Sequence, residues 1–250
     1  LSSFEPSRFL SLLKTRRFGR EFHFRTSLDS TSTFMKELAA GGCAEGALAL
    51  ADHQSAGRGR WGRSWESAAG KNLLFSFLVR PKGGMPSQLS AVFGLACLRA
   101  LGTGKLKWPN DIWIGGRKLC GMLIEEAAGA LVVGIGVNVN QSSEEFPEEI
   151  KGQATSLAIE RGAPLEREAL LAEILAQCED CYGQWREGGF DLFRGQWNEN
   201  ALFMGENVRC GAVEGKLLGL DQDGGLLVES RRGVEKLVSG EVFGLRPVLD

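Results

Sequence analysis

The apolar residues of this chain fall into short blocks whose period changes along its length, and this pattern limits the folds open to it. Leu73–Val79 is a run of strand length, closed by Pro81. Over Pro86–Leu101 the period becomes helical: Leu89, Val92, Phe93, Ala96 and Ala100 share one face, and Gly102 follows as a stop signal. Residues 47–51 and 131–137 read as further strands. Residues 112–114, a Gly115-Gly116 turn and residues 119–125 read as a hairpin. Ser30 stands as N-cap of a helix reaching about Ala40, where Gly41 and Gly42 end it. Residues 166–185 carry Leu171, Ile174, Leu175, Cys178, Tyr182 and Trp185 on one helical stripe. From about Phe203 the texture changes to short strands at regular spacing: 207–210, 216–220, 226–230, 234–237 and 241–245. Helices and strands alternate too irregularly for a doubly wound sheet. The expectation is an α+β unit over residues 1–202 and a small all-β barrel over 203–250.

The start of the chain reads in two ways. Arg8, Lys14, Arg16, Arg17, Arg20 and Arg25 outnumber Glu5 and Glu21, as in an organellar targeting segment. Phe18, Phe22 and Phe24 instead favour a structural first strand over residues 18–25. No apolar run approaches the roughly 20 residues of a membrane span. The six cysteines are scattered over 250 residues, and Cys178 and Cys181 lie within a helical pattern, so they read as core thiols. With only His23 and His53 available, no metal–cysteine site is expected.

Charge is more telling locally than in total. Residues 57–108 hold nine basic residues against Glu66 alone, a net +8, so the remainder carries −10 to reach the chain's −2. Such polarisation suits a small anionic ligand or phosphates. Within it, Gly57-Arg58-Gly59-Arg60-Trp61-Gly62-Arg63 places three guanidinium groups on a loop whose glycines let the backbone approach a ligand. The stretch formally matches G-x-G-x-x-G, but no acidic residue occurs between Glu66 and Asp111, so the ribose-binding acid of a dinucleotide site is missing. Neither a Walker loop nor the kinase D-F-G and H-R-D motifs are present. Lys107-Trp108-Pro109-Asn110-Asp111 forms a second dense patch, and Lys118 opens a hairpin strand where it could clamp a carboxylate or phosphate as a point charge. Gly134 and Gly136 leave one strand face bare, with room for a flat ring.

Taken in order, Ser30-Thr31-Ser32, Gln54, GRGRWGRSW, KWPNDIWI, RKLCG and GIGVNVN resemble the biotin protein ligases from about Phe18 to the C-terminus. The resemblance implies a mixed sheet flanked by helices, as in class II aminoacyl-tRNA synthetases, followed by an SH3-like barrel. It implies that biotin and Mg·ATP give biotinyl-5′-AMP and pyrophosphate. The biotinyl group would then pass to one lysine of a biotin carboxyl carrier domain, of acetyl-CoA carboxylase or another biotin-dependent carboxylase. Carried onto this chain, Ser30, Thr31, Ser32 and Gln54 would bind the ureido end of biotin. Arg58, Gly59 and Arg60 would close over biotin and phosphates as a loop mobile until ligand arrives, and Lys118 would hold the biotin carboxylate and the α-phosphate. Lys118, Arg58 and Arg60 are the catalytic candidates. Arg63 and Lys107 would meet phosphate. Asn110 and Asp111 would orient the nucleotide or its magnesium, which is otherwise expected to be held by the ATP phosphates. Gly121, Gly134, Gly136 and Asn138 would border the adenylate, with Asn138 near adenine. Trp65 is expected to pack beneath the loop, and Trp61 either to cover the ligand or to stand exposed. Many family members carry Asn where this chain has Ser32.

Some bacterial members add an N-terminal winged helix-turn-helix. Only about 25 residues precede the Ser30 motif here, against the ~60 such a domain needs, so the expected form lacks it and has no DNA partner. A cytoplasmic setting is expected, with an organellar address left open, and the family includes both monomers and homodimers. Lipoate attachment is the sister chemistry, but its R-R-x-S-G-G-G motif is absent. A non-enzymatic sensor would have lost Lys118 or the arginines, and all are present. A nucleic-acid module fits poorly with the net charge and the lack of an aromatic–basic stripe.

Overall fold

The computed structural model describes residues 3–83 and 85–245. In chain order the elements are α1 (Pro6–Leu12), β1 (Phe22–Leu28), α2 (Thr31–Ala40), β2 (Leu48–Gln54), β3 (Leu73–Val79), α3 (Pro86–Leu101), β4 (Lys105–Lys107), β5 (Asp111–Ile114), β6 (Arg117–Ala127) and β7 (Ala130–Val137). Then follow α4 (Leu157–Arg161), α5 (Arg167–Gly188), α6 (Asp191–Asn200), β8 (Asn207–Cys210), β9 (Val213–Leu220), β10 (Leu226–Ser230), β11 (Gly233–Leu237) and β12 (Val242–Gly244). The first seven strands form one sheet in the order β1-β2-β3-β7-β6-β5-β4, with β1–β2 parallel and the remaining pairs antiparallel.

One face of this sheet packs on α3 and α5, where Phe75, Phe77, Phe93, Ile174, Leu175 and Cys178 are fully buried. A smaller apolar cluster around Met35, Leu78 and Val132 seats α2 on the other side. The covered sheet explains why β3 and β7 read as continuous apolar runs. The six cysteines are all free thiols, and Cys178 and Cys181 are buried in α5 as expected.

Two expectations need correction. The first strand begins at Phe22 rather than Phe18, because Gly19 turns the chain at φ +78 and Phe18 leaves the strand for the core, 5.1 Å from Phe77 and 5.9 Å from Tyr182. The C-terminal strands form an open antiparallel sheet, ordered β11-β10-β9-β8-β12, rather than a closed barrel. Its outer strands β11 and β12 do not pair with each other among the described residues. Closure would need a long enough seam, and β12 has only three residues. The last five residues of the expected second domain lie outside the described residues.

The small sheet is fastened to the large one by polar bonds. Ser87 Oγ donates to Asp223 O at 2.5 Å, Gln88 Nε2 to Gln222 O at 2.8 Å, and Trp108 Nε1 to Gly224 O at 3.3 Å. Gly224 must be glycine: it has φ +81, and a Cβ there would stand 2.8 Å from the Ser87 backbone.

A buried ion pair ties the start of α5 to the large sheet. Arg167 Nη1 lies 2.7 Å from Asp52 Oδ1, with both residues under a tenth exposed. Removing one partner strands a buried charge, which costs about 3–5 kcal/mol. Asp52→Asn should therefore lower unfolding free energy by about that much in urea titrations; a loss under ~1 kcal/mol would show the pair to be dispensable.

Candidate active site

Strands β6 and β7 bring glycines together. Their register sets Gly121 opposite Gly136 and Leu123 opposite Gly134. The strip is not empty, as the flat-ring expectation had it: the chain's own Trp65 lies across it. A Cβ on Gly136 would stand 2.5 Å from Trp65 Cε2, and one on Gly121 would stand 2.8 Å from Cζ3. Gly134 lies against Ser32 Oγ. Any side chain larger than hydrogen would expel these groups, which gives the glycines a packing reason.

All the candidate residues except Lys107 and Asn138 line one cleft over this strip. Its first end is uncharged. Ser30 sits at the N-cap of α2, and Thr31 N–H donates to Gln54 Oε1 at 2.7 Å. Thr31 Oγ1 donates to the same oxygen at 3.1 Å, and Ser76 Oγ lies 2.9 Å from Thr31 Oγ1 and 3.1 Å from Ser32 Oγ. With one proton per hydroxyl, a consistent chain runs from Ser32 to Ser76 to Thr31 to Gln54. It leaves Gln54 Nε2 as a donor and Ser32 Oγ as an acceptor. Ser76, fully buried, went unrecognised in the sequence; its signal was a lone hydroxyl inside an apolar strand.

The other end is cationic. Lys118 Nζ lies 2.8 Å from Asp111 Oδ1 and 5.4 Å from the centre of a Trp65 ring. The lysine backbone is pinned, its N–H donating to Gln153 O at 2.7 Å and its carbonyl accepting from Thr155 N–H at 2.9 Å. Asn110 staples the hairpin: its Nδ2 donates to Met122 O, and its carbonyl accepts from Met122 N–H at 3.0 Å.

The arginine loop folds as a tight hairpin, with Gly59 N–H donating to Arg63 O at 2.7 Å and Trp65 N–H to Gly57 O at 2.9 Å. A Cβ on Gly57 would stand 2.5 Å from Trp65 O. The repulsion expected among its three arginines is relieved within the chain. Arg58 Nη2 meets Glu125 Oε2 at 2.9 Å, Arg60 Nη1 donates to Gly240 O at 3.2 Å, and Arg63 Nη2 meets Glu241 Oε2 at 2.9 Å. Trp61 stands 59% exposed at the tip at φ +55, with the Arg60 guanidinium 4.5 Å above its ring.

Lys107 is buried behind the wall, 3.5 Å from Glu241 Oε1 and 4.0 Å above the Trp113 ring. Burial pushes its pKa down, against the charges of Glu241 and Asp111. Asn138 is also buried, its Nδ2 3.5 Å from Lys118 O, where it supports the lysine strand. Glu241, on the cleft wall just before β12, was not picked out as a site residue. Burial alone would raise its pKa, but the bond from Arg63 and the charge of Lys107 outweigh it and hold the carboxyl below the usual glutamate range.

Comparison with known proteins identifies the family to which the chain belongs. The sequence profile of the biotin/lipoate A/B protein ligase family matches residues 24–142. The chain is 33% identical to the biotin–[acetyl-CoA-carboxylase] ligase of Paracoccus denitrificans, over 86% of this chain and 97% of that one. It is 35% identical to the bifunctional ligase/repressor BirA of Bacillus subtilis, over 92% of this chain and 76% of the relative. Among solved structures, the biotin protein ligase from Aquifex aeolicus in complex with biotin and ATP superposes with a TM-score of 0.83 at 36% identity, covering 91% of this chain and 99% of that one. The fold is that of the biotin protein ligases. The chain belongs to the biotin/lipoate A/B protein ligase family.

Glu241 gives this site a pH signature. Its folded pKa lies below the unfolded value of about 4.3, so its contribution is full above that pH and is lost as pH falls through the folded value. Glu241→Gln should destabilise the protein at pH 7 and progressively less below about pH 4. Equal destabilisation at pH 7 and pH 3 in urea titrations would show that the charge is not what matters.

Proposed function

We propose that this chain is a biotin protein ligase, which activates biotin with ATP and transfers it to a lysine of a carrier protein. The observation that carries this is the polarity of the cleft. A neutral hydrogen-bonding end formed by Thr31, Ser32 and Gln54 leads past the Trp65-covered strip to Lys118 and the arginine loop. Biotin matches that order, with an uncharged ureido head and a carboxylate tail.

In the first step a carboxylate oxygen of biotin attacks the α-phosphorus of ATP. A carboxyl–phosphorus bond forms, the bond to the β-phosphate oxygen breaks, and pyrophosphate leaves. Both reactants are anionic, so Lys118 lowers their repulsion, and Arg58, Arg60 and Arg63 neutralise the charge growing on the leaving group. Asp111 holds Lys118 in place at 2.8 Å. In the second step the amine of the carrier lysine attacks the acyl carbon, AMP leaves, and the amine loses a proton.

ATP arrives with magnesium. Among the described residues no group of three or more His, Cys, Asp or Glu side chains is placed to hold a metal. Asp111 and Glu241 are each engaged by a basic side chain. This donor set fits an ion carried on the triphosphate rather than caged by protein. The carrier would be the biotin-accepting domain of acetyl-CoA carboxylase or a related carboxylase. Among the described residues no helix is long and apolar enough to cross a membrane.

The decisive test is pyrophosphate release from Mg·ATP with biotin, with lipoate as control. Release with biotin alone is expected. Release with lipoate alone would move the protein to the sister chemistry, and release with neither would leave a binding protein. Lys118→Ala should slow release about 10²–10³-fold while the fold persists, and an unchanged rate would refute its role. Arg60→Ala should make bound biotinyl-adenylate dissociate roughly tenfold faster or more, because a charged hydrogen-bond donor is lost. An unchanged off-rate would count against the loop's part in retaining it.

A further inference from the structure

We propose that Glu125 is the resting counterion of Arg58, and that Lys36 sets how readily Arg58 is released to an anionic ligand. The inference rests on the reading that the cleft takes an acyl-adenylate. Neither Glu125 nor Lys36 lies on the cleft wall, so each acts as a positioning residue.

Glu125 lies on β6, two residues beyond Leu123 of the cleft wall, and its side chain is 23% exposed. Its Oε2 is 2.9 Å from Arg58 Nη2 and its Oε1 is 2.7 Å from Lys36 Nζ on α2. Arg58 thus borders the cleft while its guanidinium is engaged on a carboxylate outside it. Two cations share one anion, so this corner holds a surplus positive charge. If Arg58 turns toward a phosphate, Lys36 still satisfies Glu125, and no partly buried carboxylate is stranded. Without Lys36, Arg58 would be the remaining cation on Glu125 among the described residues and would be held more firmly. Without Glu125, Arg58 would lose the carboxylate it pairs with among the described residues.

The arrangement occurs twice on the same loop. Arg63 rests on Glu241 at 2.9 Å, and Glu241 is also met by Lys107 at 3.5 Å. Both outer arginines of the loop therefore lean on a carboxylate shared with a lysine from a regular element, α2 in one case and β4 in the other. An arginine that must close on an anion needs a resting partner it can leave, and a second cation makes that partner easy to leave.

The proposal predicts effects of opposite sign from two adjacent charge removals. Partly exposed ion pairs of this kind are worth about two- to fivefold in an equilibrium. With biotinyl-adenylate formed in place from biotin and Mg·ATP, Glu125→Gln should slow its dissociation about two- to fivefold, and Lys36→Met should speed it by a similar factor. In the double variant Lys36→Met should add nothing to Glu125→Gln, because the carboxylate it tunes is gone. Lys36→Arg keeps the charge and should behave as the unsubstituted protein. A Lys36→Met penalty that persists in the Glu125→Gln background would show Lys36 acting directly through its field on the ligand, and would overturn the proposal. Effects of the same sign from both single variants would do so too.

A second measurement needs no ligand. Trypsin should cut the free loop after Arg58 faster in Glu125→Gln and more slowly in Lys36→Met, and equal rates would overturn the resting contact. If the unsubstituted protein forms no adenylate, the biotin reading fails, while the tryptic rates still decide whether Glu125 holds Arg58.

Discussion

Two neighbouring strands with hydrogen in place of side chains open a gap on one face of the large sheet. Gly121 and Gly136 face each other across β6 and β7, and Gly134 lies one step further along β7. Trp65 lies on the first two and Ser32 reaches to the third. The indole then supports Lys118, whose Cε and Nζ also crowd Gly121. Through that gap the end of the arginine loop, the start of α2 and the lysine strand converge, although they are far apart in the chain. A methyl group on either glycine of the facing pair would break the convergence, because close-packed interiors give way only by a few tenths of an ångström.

Charge joins what packing brings near. The arginine loop carries three guanidinium groups close together, and each has an oxygen from elsewhere: Glu125 from the large sheet, and Gly240 and Glu241 from the C-terminal segment. The small open sheet is thus part of the wall of the site. Its attachment through Ser87, Gln88 and Trp108 presents Gly240 and Glu241 to the loop. The partners are separated from their arginines by 67 to 180 residues in sequence. No local pattern in the arginine segment specifies them.

The elements legible in the sequence were those with one dominant period and clear punctuation. Leu73–Val79 and Pro86–Leu101 have the bounds their apolar patterns indicate, because Pro81 and Gly102 stop them unambiguously. α1, α4, α6 and the short strand β4 were missed. α1 is a single short block that buries Phe9, 4.8 Å from the Phe22 ring of β1, and α6 buries only Phe193 and Trp197, too few apolar positions to announce a period. The barrel expectation came from strand spacing, which reports how many strands exist and not whether the outer two meet. At the site, the arginine loop, Lys118 and the glycines stood out because glycine interleaved with charge is chemically unusual. Ser76, Glu125 and Glu241 did not, since a serine in a strand or a glutamate near a strand end is ordinary until its partner is known.

The sequence alone determined the chemistry available to the chain. It supplied a cationic, glycine-spaced loop, a lysine at the start of a hairpin strand, a polar helix start and the family to which these belong. Residue type and short spacing carry that information, because a side chain's charge and a glycine's freedom are local properties. The tertiary structure decided which of these residues share one cleft. It withdrew Lys107 and Asn138 behind the wall and laid Trp65 in the place a bare strip had left open. It also gave each arginine an oxygen partner from a distant segment. Those outcomes depend on sheet register and on contacts between distant segments, and a one-residue slip of β7 against β6 would turn the glycine faces apart.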